Sequence, residues 1–169
     1  MLKIIKVAVI SDIHGSSFYA ERIKEIFEKE NADKLILLGD LYYHGPRNDI
    51  PVGHDAKETV KILNSMKDNI IAVRGNCDAD VDIWVSEFEI KDYVEIEIAG
   101  KIYCFTHGHE YNSDKTPKRK TDVLVYGHFH TGFIKEKDGV TKKEDAEKNL
   151  VVDNWEEDVS GSCWQEDNN

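Results

Sequence analysis

The stretch Val7-Ala8-Val9-Ile10-Ser11-Asp12-Ile13-His14-Gly15 sets four apolar residues directly before an Asp-x-His-Gly turn. A continuous apolar run, unlike an alternating one, suits a strand covered on both faces, as in parallel sheets with crossover helices. From Tyr19 to Glu30, Ile23, Ile26 and Phe27 recur at helical spacing, so the chain opens as strand then helix. Working outward, the same unit returns: Leu35 to Leu38 is a second strand, and a loop from Gly39 to Gly53 follows it. A helix then opens at Asp55 as cap, with Glu58 three residues on and Val60, Ile62, Leu63 and Met66 on its apolar face. Ile70 to Val73 is a third buried strand.

Beyond Asn76 the pattern changes. Tyr93 to Ala99 alternates, Gly100-Lys101 follows, and Ile102 to Phe105 answers it, which reads as a hairpin. Val123 to Tyr126 is another buried strand and Phe133 to Glu136 a shorter one. An α/β opening followed by more antiparallel strands is consistent with a two-sheet sandwich flanked by helices.

Five apolar runs end in residues of metal-ligand type. VAVI leads to Asp12 and His14, LILL to Asp40, IIAV to Asn76, IYCF to His107, and VLVY to His128 and His130. In open α/β sheets, groups at the carboxyl ends of neighbouring strands meet in one crevice. Any one fragment is ordinary loop chemistry, but five in the same position on separate strands point to one site. Imidazole, carboxylate and amide donors without a thiolate suit manganese, iron, cobalt, nickel or zinc better than calcium or a structural zinc. Two such ions would clamp a phosphate and lower the pKa of a bridging water. Asp40 is the candidate bridge, because a carboxylate has two oxygens and a negative charge with which to serve both.

These residues resemble the calcineurin-like metallophosphoesterase superfamily, and within it a small bacterial phosphodiesterase branch, over roughly residues 3 to 139. The likeness rests on Asp12-Ile13-His14-Gly15, Gly39-Asp40, His44-Gly45-Pro46-Arg47-Asn48, Arg74-Gly75-Asn76-Cys77-Asp78, Thr106-His107-Gly108-His109 and Gly127-His128-Phe129-His130, in that order. It implies a four-layer α-β-β-α sandwich of two mixed sheets. It also implies a first metal on Asp12, His14, Asp40 and His130, and a second on Asp40, Asn76, His107 and His128. The implied activity is a manganese-supported phosphodiesterase in which a metal-bridging hydroxide attacks phosphorus. A phosphomonoesterase, a dinucleotide polyphosphate hydrolase and a retromer-like interaction scaffold are alternatives on the same fold.

Two departures from the family pattern bear on mechanism. Larger relatives have a histidine after the motif asparagine, where it protonates the leaving group; here that position is Cys77. The Asp-Arg-Gly run of the protein-phosphatase branch is replaced by Leu41-Tyr42-Tyr43-His44-Gly45, which disfavours that branch. Of the remaining polar residues, His109 either faces substrate as a catalytic group or hydrogen-bonds a metal ligand. Arg74 either contacts phosphate or pairs with Asp78 or Asp80. His44 and Arg47, in the loop after Asp40, are candidates for substrate binding. Trp84, Phe88 and Tyr93 belong to a lid, an oligomer contact or the core, and Lys115 to Lys120 reads as a solvated loop.

Composition narrows the partners. A net charge of −11 over 169 residues opposes general nucleic-acid binding, which needs a basic surface. A small phosphodiester is compatible, because bound cations reverse the charge locally. No apolar run is long enough to span a membrane. Cys77, Cys104 and Cys163 have no disulfide or zinc-finger spacing, which suggests reduced thiols in the cytoplasm, in a protein that forms either a monomer or a homo-oligomer.

The chain reads as a catalytic domain over 1–139 and a divergent segment over 140–169. In that segment only Leu150 to Asn154 and Ser160-Gly161-Ser162 echo the strands and turn that end the family's fold. Too few apolar residues remain there to offset the cost of ordering. Either a divergent ending or an altered reading frame explains this; under both, the segment is expected to pack weakly, leave a sheet edge uncovered and supply no catalytic residue.

Overall fold

The structure is a computed structural model that describes residues 5–98, 100–115, 117, 121–130 and the strand backbones 133–137, 140–144 and 151–154. Strand β1 (Lys6–Ile10), helix α1 (Ser17–Lys29), β2 (Lys34–Leu37), α2 (Ala56–Asn64) and β3 (Ile70–Val73) form the strand–helix units expected from the sequence. A short helix α3 (Asp80–Val85) and the two-residue β4 (Ile90–Lys91) follow, both unforeseen because neither is long enough to display a period. The second half holds β5 (Tyr93–Ile98), β6 (Lys101–Thr106), β7 (Val123–Tyr126), β8 (Phe133–Lys137), β9 (Val140–Glu144) and β10 (Val151–Asn154).

Two five-stranded sheets result, in the orders β10-β1-β2-β3-β4 and β5-β6-β7-β9-β8. Strands β1 to β4 run parallel and β10 joins β1 antiparallel, while β6, β7 and β9 run parallel between antiparallel β5 and β8. The strand alternation that hides both faces of β1 to β3 now has named partners. Ala8, Ile10, Leu35, Leu37 and Ala72 pack on one side with Ala20, Ile23, Ile62 and Leu63 of the helices. Val7, Val9, Ile36, Leu38 and Val73 face the other way, onto Tyr103, Phe105, Val123 and Val125 of the second sheet. The outer side of that sheet carries Cys104, Leu124 and Tyr126, all buried, and no helix follows Val85 among the described residues.

Helix α2 begins as the sequence suggests, with Asp55 Oδ1 accepting from Glu58 N at 3.0 Å. The reciprocal bond is absent because Asp55 N donates to Gly15 O at 2.8 Å, and Glu58 instead pairs with Lys61 at 2.6 Å. Phe88 belongs to the helix-side core, whereas Trp84 is 80% exposed on α3. The boundary drawn at 139 falls between β8 and β9, and backbone pairing continues on both sides of it. The side-chain packing of that segment, the turn at 160–162, Cys163 and residues 118–120 lie outside the described residues.

Candidate metal centre

Parallel pairing of β1, β2 and β3, and of β6 with β7, brings the five strand ends to one rim. Asp12 N donates to Gly39 O at 3.1 Å and His14 N to Asp40 O at 2.9 Å, which ties the first turn to the second. Gly39 and Gly75 let the second and third turns touch: a β-carbon on Gly39 would lie 2.7 Å from Gly75 Cα, and one on Gly75 would lie 2.8 Å from Asp40 Cγ. No larger residue fits that approach.

The two carboxylates are used alike. Asp12 Oδ2 accepts from His128 N at 3.0 Å and from Ser11 Oγ, while Oδ1 faces His14 Nε2 at 3.6 Å and His130 Nε2 at 3.2 Å. Asp40 Oδ1 accepts from Cys77 N at 2.8 Å, while Oδ2 lies 3.8 Å from His14 Nε2 and 3.5 Å from His107 Nε2. A single oxygen of Asp40, rather than both, thus stands between two groups of donors, because the turn at Cys77 needs an acceptor. The second group gathers around His107, whose Nε2 is 3.0 Å from Asn76 Oδ1 and 3.2 Å from His128 Nδ1. His14 and His107 are aimed by their other ring nitrogens, at 2.8 Å from Tyr43 O and 2.7 Å from Leu38 O.

Among the described residues, non-glycine positive φ angles occur at Asp12, His14, Asp40, His128, His130 and Asn31. Five of these six are candidate ligands. Such conformations cost energy and persist where the surroundings impose them, commonly at functional sites. Buried donors add a second sign: Asp12 Oδ1 and His14 Nε2 are buried without a hydrogen-bond partner. Unsatisfied polar atoms in an interior are expensive unless something pairs with them. The grouped donors Asp12, His14 and His130, and again Asp12, Asp40 and His107, lie close enough together to hold ions.

Electrostatics follow from this geometry. Burial opposes the charge on Asp12, yet His130 and His14 hold its carboxyl below the ordinary range. Burial likewise opposes the charge on Asp40, and His107 outweighs it. His14 and His107 would be pushed down by burial, but Asp12 and Asp40 respectively raise them. Burial, then the neighbouring His107, lowers His109 and His128. Cys77 is pushed up to about 12 by burial and by Asp40.

The remaining candidates are distributed around this centre. His109 has its ring 5.3 Å from that of His107 and lines a cleft of about 290 Å³ with Asn76, Arg74, Asp92 and Glu110. Arg74 adopts the loop-fixing alternative, with Nε donating to Asp78 O at 3.1 Å and Nη2 to Asp80 at 3.0 Å, while also lining the cleft. His44 is half-buried, its ring 5.3 Å from that of His54, and Arg47 is exposed on the same loop. Sequence reasoning passed over Asp78 except as a partner for Arg74. Its carboxylate is buried and takes three backbone N–H groups, although burial raises its pKa.

The calcineurin-like phosphoesterase superfamily domain matches residues 5–151. Phosphodiesterase YfcE of Escherichia coli (strain K12) is 39% identical over 127 residues, covering 74% of this chain and 69% of that protein. The solved structure of the E. coli phosphoesterase Yfce superposes with a TM-score of 0.84 at 31% identity, over 88% of this chain and 87% of that one. Phosphodiesterase MJ0936 of Methanocaldococcus jannaschii is 26% identical over 144 residues, covering 80% of this chain and 79% of that protein. A vacuolar protein sorting 29 structure from Cryptosporidium parvum shares the fold at a TM-score of 0.59 and 16% identity, over 96% of this chain and 99% of that one. With these likenesses added to the two-sheet sandwich and the donors on its rim, the chain belongs to the calcineurin-like phosphoesterase superfamily.

Proposed function

We propose that this chain is a metal-dependent phosphodiesterase, in which Asp12, His14, Asp40 and His130 would hold one divalent ion and Asp40, Asn76, His107 and His128 a second. The observation that carries the reading is that Asp12 Oδ1 and His14 Nε2 are buried beside Asp40 Oδ2 with no hydrogen bond, facing only other groups of metal-ligand type. A hydrogen-bonded core would not leave such atoms exposed to one another, whereas an ion would satisfy them. Borderline donors favour manganese, with nickel, iron, cobalt or zinc as substitutes. When bound, two such cations supply charge neutralisation at phosphoryl oxygens and make water acidic enough to react near neutral pH.

The residues of the chain supply the rest. His109 lines the cleft with its ring 5.3 Å from that of His107, where it would donate one ring N–H to a phosphoryl oxygen; burial and His107 hold it below its ordinary pKa. Asn76 and His109 open onto the cleft, which receives the second substituent of a diester. Asp92 and Glu110 on the same walls oppose a further anionic group there, which favours a neutral or cationic substituent over a polyphosphate. His44 and Arg47 are kept as substrate contacts on the loop after Asp40. Free Cys77 and Cys104 fit a reducing compartment such as the cytoplasm.

Hydrolysis of bis-p-nitrophenyl phosphate and p-nitrophenyl phosphate, each with manganese, nickel, zinc and magnesium, tests this reading. Diester turnover well above monoester turnover under matched metal supports it. Equal or faster monoester hydrolysis would transfer the assignment to a phosphomonoesterase, and no hydrolysis with any metal would favour a scaffold.

A further inference from the structure

Asp78 lies outside the proposed ligand set, yet it is 5% exposed and its carboxylate hydrogen-bonds the backbone of the two loops that carry Asp40 and Asn76. Oδ2 accepts from Asp40 N at 2.8 Å and Gly75 N at 2.7 Å, and Oδ1 accepts from Leu41 N at 2.8 Å. In return, Asp40 Oδ1 accepts from Cys77 N at 2.8 Å. The loop after β2 and the loop after β3 therefore exchange carboxylates, each binding the other's backbone. Arg74 closes the arrangement by donating to Asp78 O at 3.1 Å.

This exchange constrains Asp40 twice. Its backbone is held at φ 56°, in the left-handed region that an aspartate enters less readily than a glycine. Its side chain is anchored through Oδ1, which leaves Oδ2 as the atom facing His14 and His107. We infer that Asp78 is the positioning residue of the metal centre: its carboxylate locks the two loops together and so fixes Asp40 Oδ2 between the two groups of donors. The inference rests on the two-metal reading of the site. Without the carboxylate, three buried N–H groups lose their acceptor and the loop bearing Asn76 is released from the loop bearing Asp40.

Manganese titration by calorimetry and electron paramagnetic resonance, on the wild type, Asp78→Asn and Asp78→Ala, tests the role. Asparagine is isosteric and keeps one oxygen for Asp40 N and Gly75 N, but it turns an amide toward Leu41 N. Asp78→Asn is expected to weaken the second manganese by about 10–100-fold, the usual effect of losing a group that orients a ligand. Asp78→Ala is expected to bind one ion without the spin coupling of a paired centre. Amide hydrogen exchange in the metal-free proteins supplies a readout independent of metal: Leu41 is expected to lose protection in Asp78→Asn, and Asp40, Leu41 and Gly75 in Asp78→Ala. If alanine prevents folding, the asparagine variant alone decides. A wild type that binds fewer than two ions would overturn the metal reading and this inference with it. Two ions bound by Asp78→Asn with unchanged affinity, coupling and Leu41 exchange would overturn the positioning role alone.

Discussion

Asp12 Oδ1 and His14 Nε2 face each other at 3.6 Å in the interior, and neither has a hydrogen-bond partner. The arrangement makes stability depend on both metal and pH, with opposite slopes. Burial would lower His14 and His107, but Asp12 and Asp40 raise them above the ordinary 6.5. In metal-free protein their contribution is therefore complete below about pH 6.5 and is lost as pH climbs through the raised values. Manganese reverses the slope, because ligation needs neutral imidazoles and a saturating ion adds about 2.7 kcal/mol at a hundred times its Kd. Thermal unfolding in steps upward from pH 6.5 is expected to show a falling Tm with chelator and a flat or rising Tm with manganese. Parallel curves under the two conditions would contradict this.

Asp40→Asn is expected to abolish turnover, by more than about a hundredfold, and to release at least one ion. An amide has one acceptor oxygen. If that oxygen keeps the bond from Cys77 N, a donor NH₂ points at His14 and His107; if it faces the histidines, the turn at Cys77 loses its acceptor. Metal analysis by mass spectrometry alongside diester kinetics checks both outcomes. Two ions retained with near-normal turnover would remove Asp40 from the centre.

Cys77 stands where larger relatives keep an acid, but its thiol is pushed up to about 12 by burial and Asp40. A group so reluctant to ionise neither protonates an alkoxide efficiently nor reacts readily as a thiolate. Cys77→Ser keeps an acceptor for Asn76 Nδ2, now 3.3 Å from Sγ, and is expected to leave kcat within a few-fold of wild type. Rapid inactivation by an alkylating agent at neutral pH, absent in the serine variant, would show a reactive thiol instead.

Why the candidate ligands stood out in the sequence and their support did not has a physical basis. Asp12, His14, Asp40, Asn76, His107, His128 and His130 follow apolar runs, and such runs announce strands whose ends topology gathers. The cap at Asp55 was legible for a similar reason, since side chain and backbone partners are three residues apart. Contacts across long separations leave no period. Nothing in Gly-Asn-Cys-Asp signals that Asp78 would bind the backbone 37 and 38 residues earlier, or that one oxygen of Asp40 would be taken by Cys77 N. Helix α3 escaped notice because six residues do not complete two turns.

The Asp55 cap separates stability from catalysis. Asp55→Ala removes the acceptor of Glu58 N at the start of α2 and is expected to cost about 1 kcal/mol. The hydrogen bonds of Asp55 go to Gly15, Glu58 and Thr59 and to none of the proposed metal ligands, so turnover below the unfolding transition is expected to match wild type. Denaturant unfolding and diester kinetics on the same preparation check the separation; a fall in kcat without loss of stability would show the loop before α2 acting on the site.

Removal of residues 146–169 tests what the C-terminal segment contributes. That segment includes β10, whose Val151 to Asn154 pair with Val9 back to Lys6 along the edge of the first sheet. Without it, β1 presents unpaired N–H and C=O groups, the situation that invites edge-to-edge association. All seven proposed ligands precede residue 131, and β2 still pairs with the opposite side of β1. The truncated protein is therefore expected to keep two-metal binding and diester turnover while losing thermal stability and associating as its concentration rises, as light scattering would detect. Limited proteolysis with intact-mass analysis complements this, with cleavage after residue 139 expected before cleavage within 5–130. Loss of metal binding on truncation, or resistance of the segment to protease, would make β10 an integral support of the strand that delivers Asp12.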